Sequence, residues 1–407
     1  MPPDTPSGPL AGIVVADLST VLAGPYATML LGDLGADVVK VEPPDGDPTR
    51  RWGPPWVGEG SNRTAAYYLS VNRNKRSIVL DLHDPGAKDV LARLLARADV
   101  LVENARTDGL ARLGFDDERL RTLNPELIHL AITGYGTSGP DADRSGYDFV
   151  VQAESGLMSI TGFADGDGGR PTKVGVAIAD VVTGLHAAVA ILAGLVGRTR
   201  TRRGGQRIDV SLLGATLSAL VNQAQNAWIG GDSPERLGNA HPNIVPYETF
   251  ATADGDVAVA VGSERQWRRF CEAVELSALA GDARFATNGE RVANRGVLRP
   301  ILADRLAARS TAEWLVRLRA ADVPVGAIHD VAAAFESPAA DALGAVRSMR
   351  HAVLGEIRQV APAATFEATP ATLRRPPPLA GEQRDEILAE LGYDPAEAEA
   401  LRARGVP

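Results

Sequence analysis

The 407-residue chain is 45% hydrophobic and 23% charged, with a formal net charge of −9. This is the profile of an ordinary globular protein of about two domains, and its acidic balance argues against sequence-independent nucleic-acid binding, which needs a basic face. A single cysteine, Cys271, excludes an internal disulfide and fits a reducing, cytoplasmic setting. The opening MPPDTPSGPLAG lacks the basic segment and apolar core of a signal peptide.

In chain order, GIVVADLS (12–19) reads as a buried strand and GPYATMLLGDLGA (24–36) as a helix, with Pro25 suited to its first turn. DVVKVEPP (37–44) returns as a strand stopped by Pro43 and Pro44. This β-α-β unit implies a parallel sheet. The pattern repeats in KRSIVLDL (75–82), in a helix over 84–98 with Asp84 as N-cap, and in DVLVEN (99–104). A short helix (117–125) and the strand LIHLAITGYG (127–136) follow. Residues 181–232 read as mainly helical, broken by the basic run RTRTRRGGQR (198–207), a solvated loop. The apolar stretch Val181–Gly197 is shorter than the roughly 20 residues of a spanning helix and reads as a buried helix, not a membrane span. Residues 238–262 have turn signals and alternation suited to antiparallel strands, 235–330 reads as a smaller α+β domain, and the tail as two short charged helices after the Pro-rich connector 374–381.

The six histidines lack metal-ligand spacing and one cysteine cannot build a zinc site, so no metal is expected. Glu42 stands where a ribose partner would stand in a nucleotide-binding β-α-β unit, but the turn TVLAGP lacks G-x-G-x-x-G, which argues against NAD. Asp180 is the one carboxylate in GVAIADVVTGLHAAVAILAGL (175–195). Asp is a favoured N-cap, and a helix end would keep it ionised and able to attack an electrophile. Gly175 and Gly184 could let a substrate approach the backbone. In RSGYDFVVQAESG (144–156), Tyr147 and Asp148 follow a Gly-rich loop; Asp148 reads as the cap of the next helix or as part of a loop lining the same cleft as Asp180.

Taken in order, these stretches, together with LAGIVVADLSTVLAGPYATMLLGDLGADVVKVEPP, NPELIHLAITGYGTSGP, GNAHPNIVPYETFATADGD and PPPLAGEQRDEILAELGY, resemble the class III CoA-transferases, a family that also includes the α-methylacyl-CoA racemases. The resemblance implies an α/β fold: a Rossmann-like large domain with an open parallel sheet, plus a smaller α+β domain, in an interlocked homodimer. The divisions expected are 1–200 (large domain), 201–234 (linker helices), 235–330 (small domain) and 331–407, which returns to the large domain.

The resemblance places the family's catalytic aspartate at Asp180, which would form an acyl-aspartyl anhydride and then an aspartyl-CoA thioester. Backbone N–H groups would steady the oxyanions. Coenzyme A and acyl-CoA enter as substrates, with a small carboxylic acid as acceptor and no tightly bound cofactor. CoA contacts carry over to Val21, to Leu80, Asp81, Leu82 and His83 at the adenosine end, to Asn104, Ala105 and Arg106 along the pantetheine and phosphate path, to Arg112, and to Ser145, Gly146, Tyr147 and Asp148 beside the thioester. The family's aromatic and Pro-Gly residues near Asn104 are Ala105 and Thr107-Asp108 here, and a CoA-contacting arginine is Pro43, with Arg50 or Arg51 as candidates to compensate. The racemase branch needs a histidine where this chain has Tyr147, a poor proton acceptor at neutral pH, so transfer is favoured over racemisation. A CoA-binding homologue without catalysis is a third reading, against which the intact Asp180 counts.

Overall fold

The computed structural model describes residues 8–106, 108–404 and 406; Thr107 and residues 1–7 lie outside them. The chain divides into two units. The first takes the described residues up to Gly156, then Gly175–Asn222, then those from Pro338 on; the second takes Leu157–Val174 and Gln223–Ser337. Residues 157–174, read from sequence with the N-terminal part, therefore group with the second unit.

The apolar runs of the first unit become strands buried on both faces, as a parallel sheet favours: β1 (Val14–Asp17), β2 (Asp37–Glu42), β3 (Lys75–Val79), β4 (Val100–Glu103) and β5 (Ile128–Thr133). A sixth strand, β6 (Gln206–Ser211), adds a polar edge. These strands lie in the order β3-β2-β1-β4-β5-β6, with every pairing parallel. On one face, Val39, Ile78 and Leu101 pack with helix α2 (Pro85–Arg97), α3 (Asp117–Leu123) and the C-terminal helices (Arg384–Glu390, Pro395–Ala403). Asp84 caps α2 by accepting from the N–H groups of Gly86 and Ala87 at 2.7 and 3.0 Å. On the other face, Val15, Val38, Val100, Ile128 and Leu130 pack with α1 (Ala23–Asp33) and the long helix α5 (Ile178–Thr201). Helix α4 (Asp148–Glu154) precedes α5, and α6 (Leu212–Ser218) follows β6.

Strand β6 corrects the sequence reading, which gave 201–234 to linker helices. Gln206, Arg207 and Asp209 make it too polar to signal a buried strand, because it forms the edge of the sheet and is largely exposed. A hairpin, Val346–His351 with Gly355–Val360, was also missed in the polar connector. In the second unit, strands β7 (Tyr247–Ala251), β8 (Asp256–Ala260) and β9 (Val325–Ala327) form an antiparallel sheet. Its core of Val257, Val259, Phe270, Leu298, Leu302 and Trp314 is supplied by β8 and three helices.

Candidate active site

The site is built where parallel strands end, the usual place for ligands in such sheets. After β1 the chain turns sharply into α1. The side chain of Asn104, just past β4, takes both backbone groups of Thr20: its Oδ1 accepts from the Thr20 N–H at 3.0 Å and its Nδ2 donates to the Thr20 carbonyl at 2.8 Å. The next residue, Val21, has φ +72°, a left-handed conformation that β-branched residues avoid. Past β5, Gly134 and Gly146 cross so closely that a Cβ on Gly146 would stand 2.3 Å from the Gly134 Cα. That contact lays the Ser145–Tyr147 loop across the strand end.

Asp180 lies in the first turn of α5 but does not cap it. The helix starts at Ile178 after Ala177, which makes no side-chain cap. The cap comes from Asp148, whose Oδ1 accepts the Ala179 N–H at 2.8 Å while Gln152 Nε2 donates to its other oxygen at 2.8 Å. Asp148 in turn does not cap its own helix α4, where it is the first residue. Both cap assignments made from sequence are thus corrected, because the partner is 31 residues away along the chain.

This arrangement leaves Asp180 half-buried beside a second carboxylate. Burial pushes its carboxyl up, the charge of Asp148 adds to that, and a hydrogen bond from the Ala23 backbone N–H works against it; the result is about 7. The expectation that the helix end keeps Asp180 in the ordinary carboxylate range is not met: burial and the charge of Asp148 outweigh the helix end. Gly184, one turn further on, serves packing. A Cβ there would stand 2.7 Å from the Ala23 carbonyl oxygen, so the glycine lets α5 close onto the start of α1.

A cavity of about 250 Å³ joins Asp180 to Val21, Asn104, Ala105, Arg106, Ser145, Gly146 and Tyr147. Thr20, Ala23, Thr133 and Arg144 line it as well. Leu80, Asp81, Leu82, His83, Arg112 and Asp148 are not among its lining residues. Leu80 is buried in the core, with its N–H bonded to the Glu42 carbonyl, while His83 and Arg112 are exposed.

Arg50 is not available to compensate for Pro43. Its guanidinium is buried in a two-point pair with Glu42, at 2.8 and 2.7 Å, and also donates to the Pro378 carbonyl. Glu42, engaged also by Ser77 Oγ and the Asp47 N–H, is closed to a ribose. Arg51 is exposed and donates to the Asp45 carbonyl. Among the described residues, no group of three or more His, Cys, Asp or Glu side chains could hold a metal.

Sequence reasoning missed two groups. One is the Ala23 N–H, which no sequence signal announces. The other is Tyr67, whose hydroxyl is pushed up to about 12 by burial and by the charges of Asp180 and Asp148. It stays a neutral donor across the physiological range. A carboxyl pushed well above its ordinary range and facing a cavity has the makings of covalent carboxylate catalysis.

Comparison with known proteins agrees with that class. A model of CoA-transferase family III matches residues 10–384. The chain is 45% identical to a succinate–glutarate CoA-transferase from Agrobacterium fabrum, covering 94% of this chain and 96% of that one. It is 42% identical to a human succinyl-CoA:glutarate CoA-transferase, covering 98% and 90%. The crystal structure of a CaiB/BaiF family protein from Brucella suis superposes with a TM-score of 0.83 at 40% identity, covering 95% of this chain and all of that one. The chain belongs to CoA-transferase family III, enzymes that move CoA from an acyl-CoA to a carboxylate.

Proposed function

We propose that this chain exchanges CoA between short dicarboxylates, with succinyl-CoA as donor and glutarate as acceptor, and that Asp180 is the nucleophile. The substrate choice is supported by the two relatives at 45% and 42% identity named for succinate or succinyl-CoA and glutarate. The role of Asp180 is supported by its place in the cavity and its raised carboxyl.

In this reading the ionised Asp180 attacks the thioester carbonyl, the C–S bond breaks, and CoA thiolate leaves an acyl-aspartyl anhydride. The thiolate attacks the aspartyl carbonyl, freeing succinate and giving an aspartyl-CoA thioester. Glutarate attacks that thioester, the thiolate returns to the glutaryl carbonyl of the new anhydride, and Asp180 is regenerated. A carboxylate that burial destabilises is a stronger nucleophile than one at ordinary pKa, and splitting the exchange into four like steps keeps the thioester energy. The Val21 N–H, on the turn that lines the cavity, is the donor proposed for the oxyanions.

The CoA path proposed runs from Asp180 past Val21 and Ser145–Tyr147 to Asn104–Arg106. Leu80–His83 and Arg112 are proposed for the nucleotide end, since the first follows β3 at the carboxyl edge of the sheet. The homodimer belongs to the same reading: Leu185, Val189 and Val196 on α5 and Leu217 on α6 are exposed apolar side chains of the kind a subunit interface covers. The deciding experiment is exchange of label between succinyl-CoA and glutarate. Formation of glutaryl-CoA by the parent and its absence with Asp180→Ala support the reading; parent enzyme that transfers CoA to neither glutarate nor another dicarboxylate refutes it.

A further inference from the structure

Beneath the turn that carries Val21 lies a set of charges the proposed reaction does not use. Asp17, Lys40, Glu42, Asp47 and Lys75 are each no more than 1% exposed. Lys75 pairs with Asp17 at 3.0 Å and Lys40 with Asp47 at 3.0 Å. Buried ion pairs are a poor route to stability, because desolvation offsets most of their attraction. Their bonds to the main chain show what else they do.

Ahead of Val21, the Asp17 carboxylate accepts from the Ser19 N–H at 3.0 Å and its Oγ at 2.5 Å, while Lys40 Nζ donates to the Ser19 carbonyl at 2.8 Å. Beyond Val21, the same Asp17 carboxylate accepts from Thr28 Oγ1 at 2.7 Å, and Lys75 Nζ donates to the Pro25 carbonyl at 2.9 Å. The chain is thus tied to one buried carboxylate on both sides of its strained residue. Gly24 closes the loop, since a Cβ there would lie 2.3 Å from that of Ser19. A left-handed valine persists only where its surroundings over-determine it, and these ties do so. Two residues after it is Ala23, which lines the same cavity as Val21 and Asp180.

We propose that Asp17 and Lys40 are positioning residues for the transfer reaction: anchored in the sheet, they clamp the Ser19–Ala23 turn in the strained form that walls the cavity beside Asp180. The inference rests on the assignment of Asp180 as nucleophile. A merely structural role for the charges would affect the amount of folded protein and nothing at Asp180.

Two readouts separate these roles. The first is the titration of Asp180 followed through its carboxyl carbon by NMR in ligand-free protein, which needs no knowledge of the substrate. The second is kcat against KM in the exchange assay. Lys40→Met removes the anchor at Ser19, and Ser19→Ala removes one tether while leaving every charge paired, so it serves if the former does not fold. In either variant the turn loosens beside Asp180, its Ala23 N–H opposes the rise of the carboxyl less, and the Asp180 midpoint moves to higher pH. kcat falls about 10- to 100-fold in Lys40→Met and less in Ser19→Ala, with KM for acyl-CoA little changed.

Arg73→Met, which breaks the buried Arg73–Asp33 pair away from the turn, lowers stability and leaves the Asp180 midpoint unmoved. Asp148 and Tyr67, the other titratable groups acting on or felt by Asp180, are unchanged in all of these proteins. A folded Ser19→Ala or Lys40→Met protein with the parent midpoint overturns the proposal. If the midpoint moves but the parent catalyses no exchange, the clamp stands and the transferase reading fails instead.

Discussion

Asp17 and Asp180 are two carboxylates of one unit, withdrawn from water at either side of a single turn, and they are driven in opposite directions. For Asp17 burial opposes ionisation, but Lys75, Lys40 and hydrogen bonds from Ser19 and Thr28 overcome it and hold the carboxyl at about 2. For Asp180 burial is joined by the charge of Asp148 and opposed only by one backbone N–H, so the carboxyl rises to about 7. Burial is common to both; the partners decide the outcome. The first is fixed as an anion and organises the backbone. The second keeps a reactive, weakly stabilised charge facing a cavity. The division of labour is the pattern expected when a rigid scaffold holds a site whose own groups are left unsatisfied.

Substitutions at the two positions should differ in what they disturb. Asp180→Ala should reduce succinyl-CoA:glutarate exchange by at least roughly 1,000-fold, measured by product formation, with the fold intact by circular dichroism. Asp17→Ala should act on both counts: it leaves buried Lys75 and Lys40 short of an anion and costs about 3–5 kcal/mol, measured by urea unfolding, and the protein that still folds should lose kcat because the Ser19–Ala23 turn has lost its anchor. The pH dependence of stability sharpens the contrast. A carboxyl whose folded pKa is raised withdraws stability as pH climbs from about 4 to about 7. Asp180→Asn should therefore be more stable than the parent at pH 8, by about 1–3 kcal/mol, with the difference vanishing near pH 4. Asp17 has the opposite sign, contributing stability above about pH 4 that is lost as the pH falls through about 2. The smallest effect is expected of Gly184→Ala, where the new Cβ meets the Ala23 carbonyl and α1 and α5 must part. The cost in stability is about 1–3 kcal/mol, and thermal unfolding compared with turnover should show activity falling further than stability.

Much of this architecture can be read in the amino-acid order, and the exceptions have physical reasons. Strands such as β4 and β5 are legible because a parallel sheet buries both faces and leaves an unbroken apolar run. The cap of α2 is legible because Asp84 bonds to the next turn of its own chain. Strand β6 is hidden because its edge position tolerates Arg207 and Asp209. The state of Asp180 is hidden for another reason. Its position in a first turn suggests a stabilised anion, but the helix begins two residues before it, its end is capped from Asp148 through the Ala179 N–H, and Asp148 adds its own charge. Arg50 illustrates the same limit: a cation near the phosphate path in sequence terms is closed off by Glu42 in space. Local signals fix local bonds, and tertiary partners set the charges.

The most direct test of the account is to mix the protein with succinyl-CoA, quench with borohydride, and map the modified peptide by mass spectrometry. The account predicts reduction of the Asp180 side chain in the parent and none in Asp180→Ala. Glutaryl-CoA formation without any modification of Asp180 would contradict it.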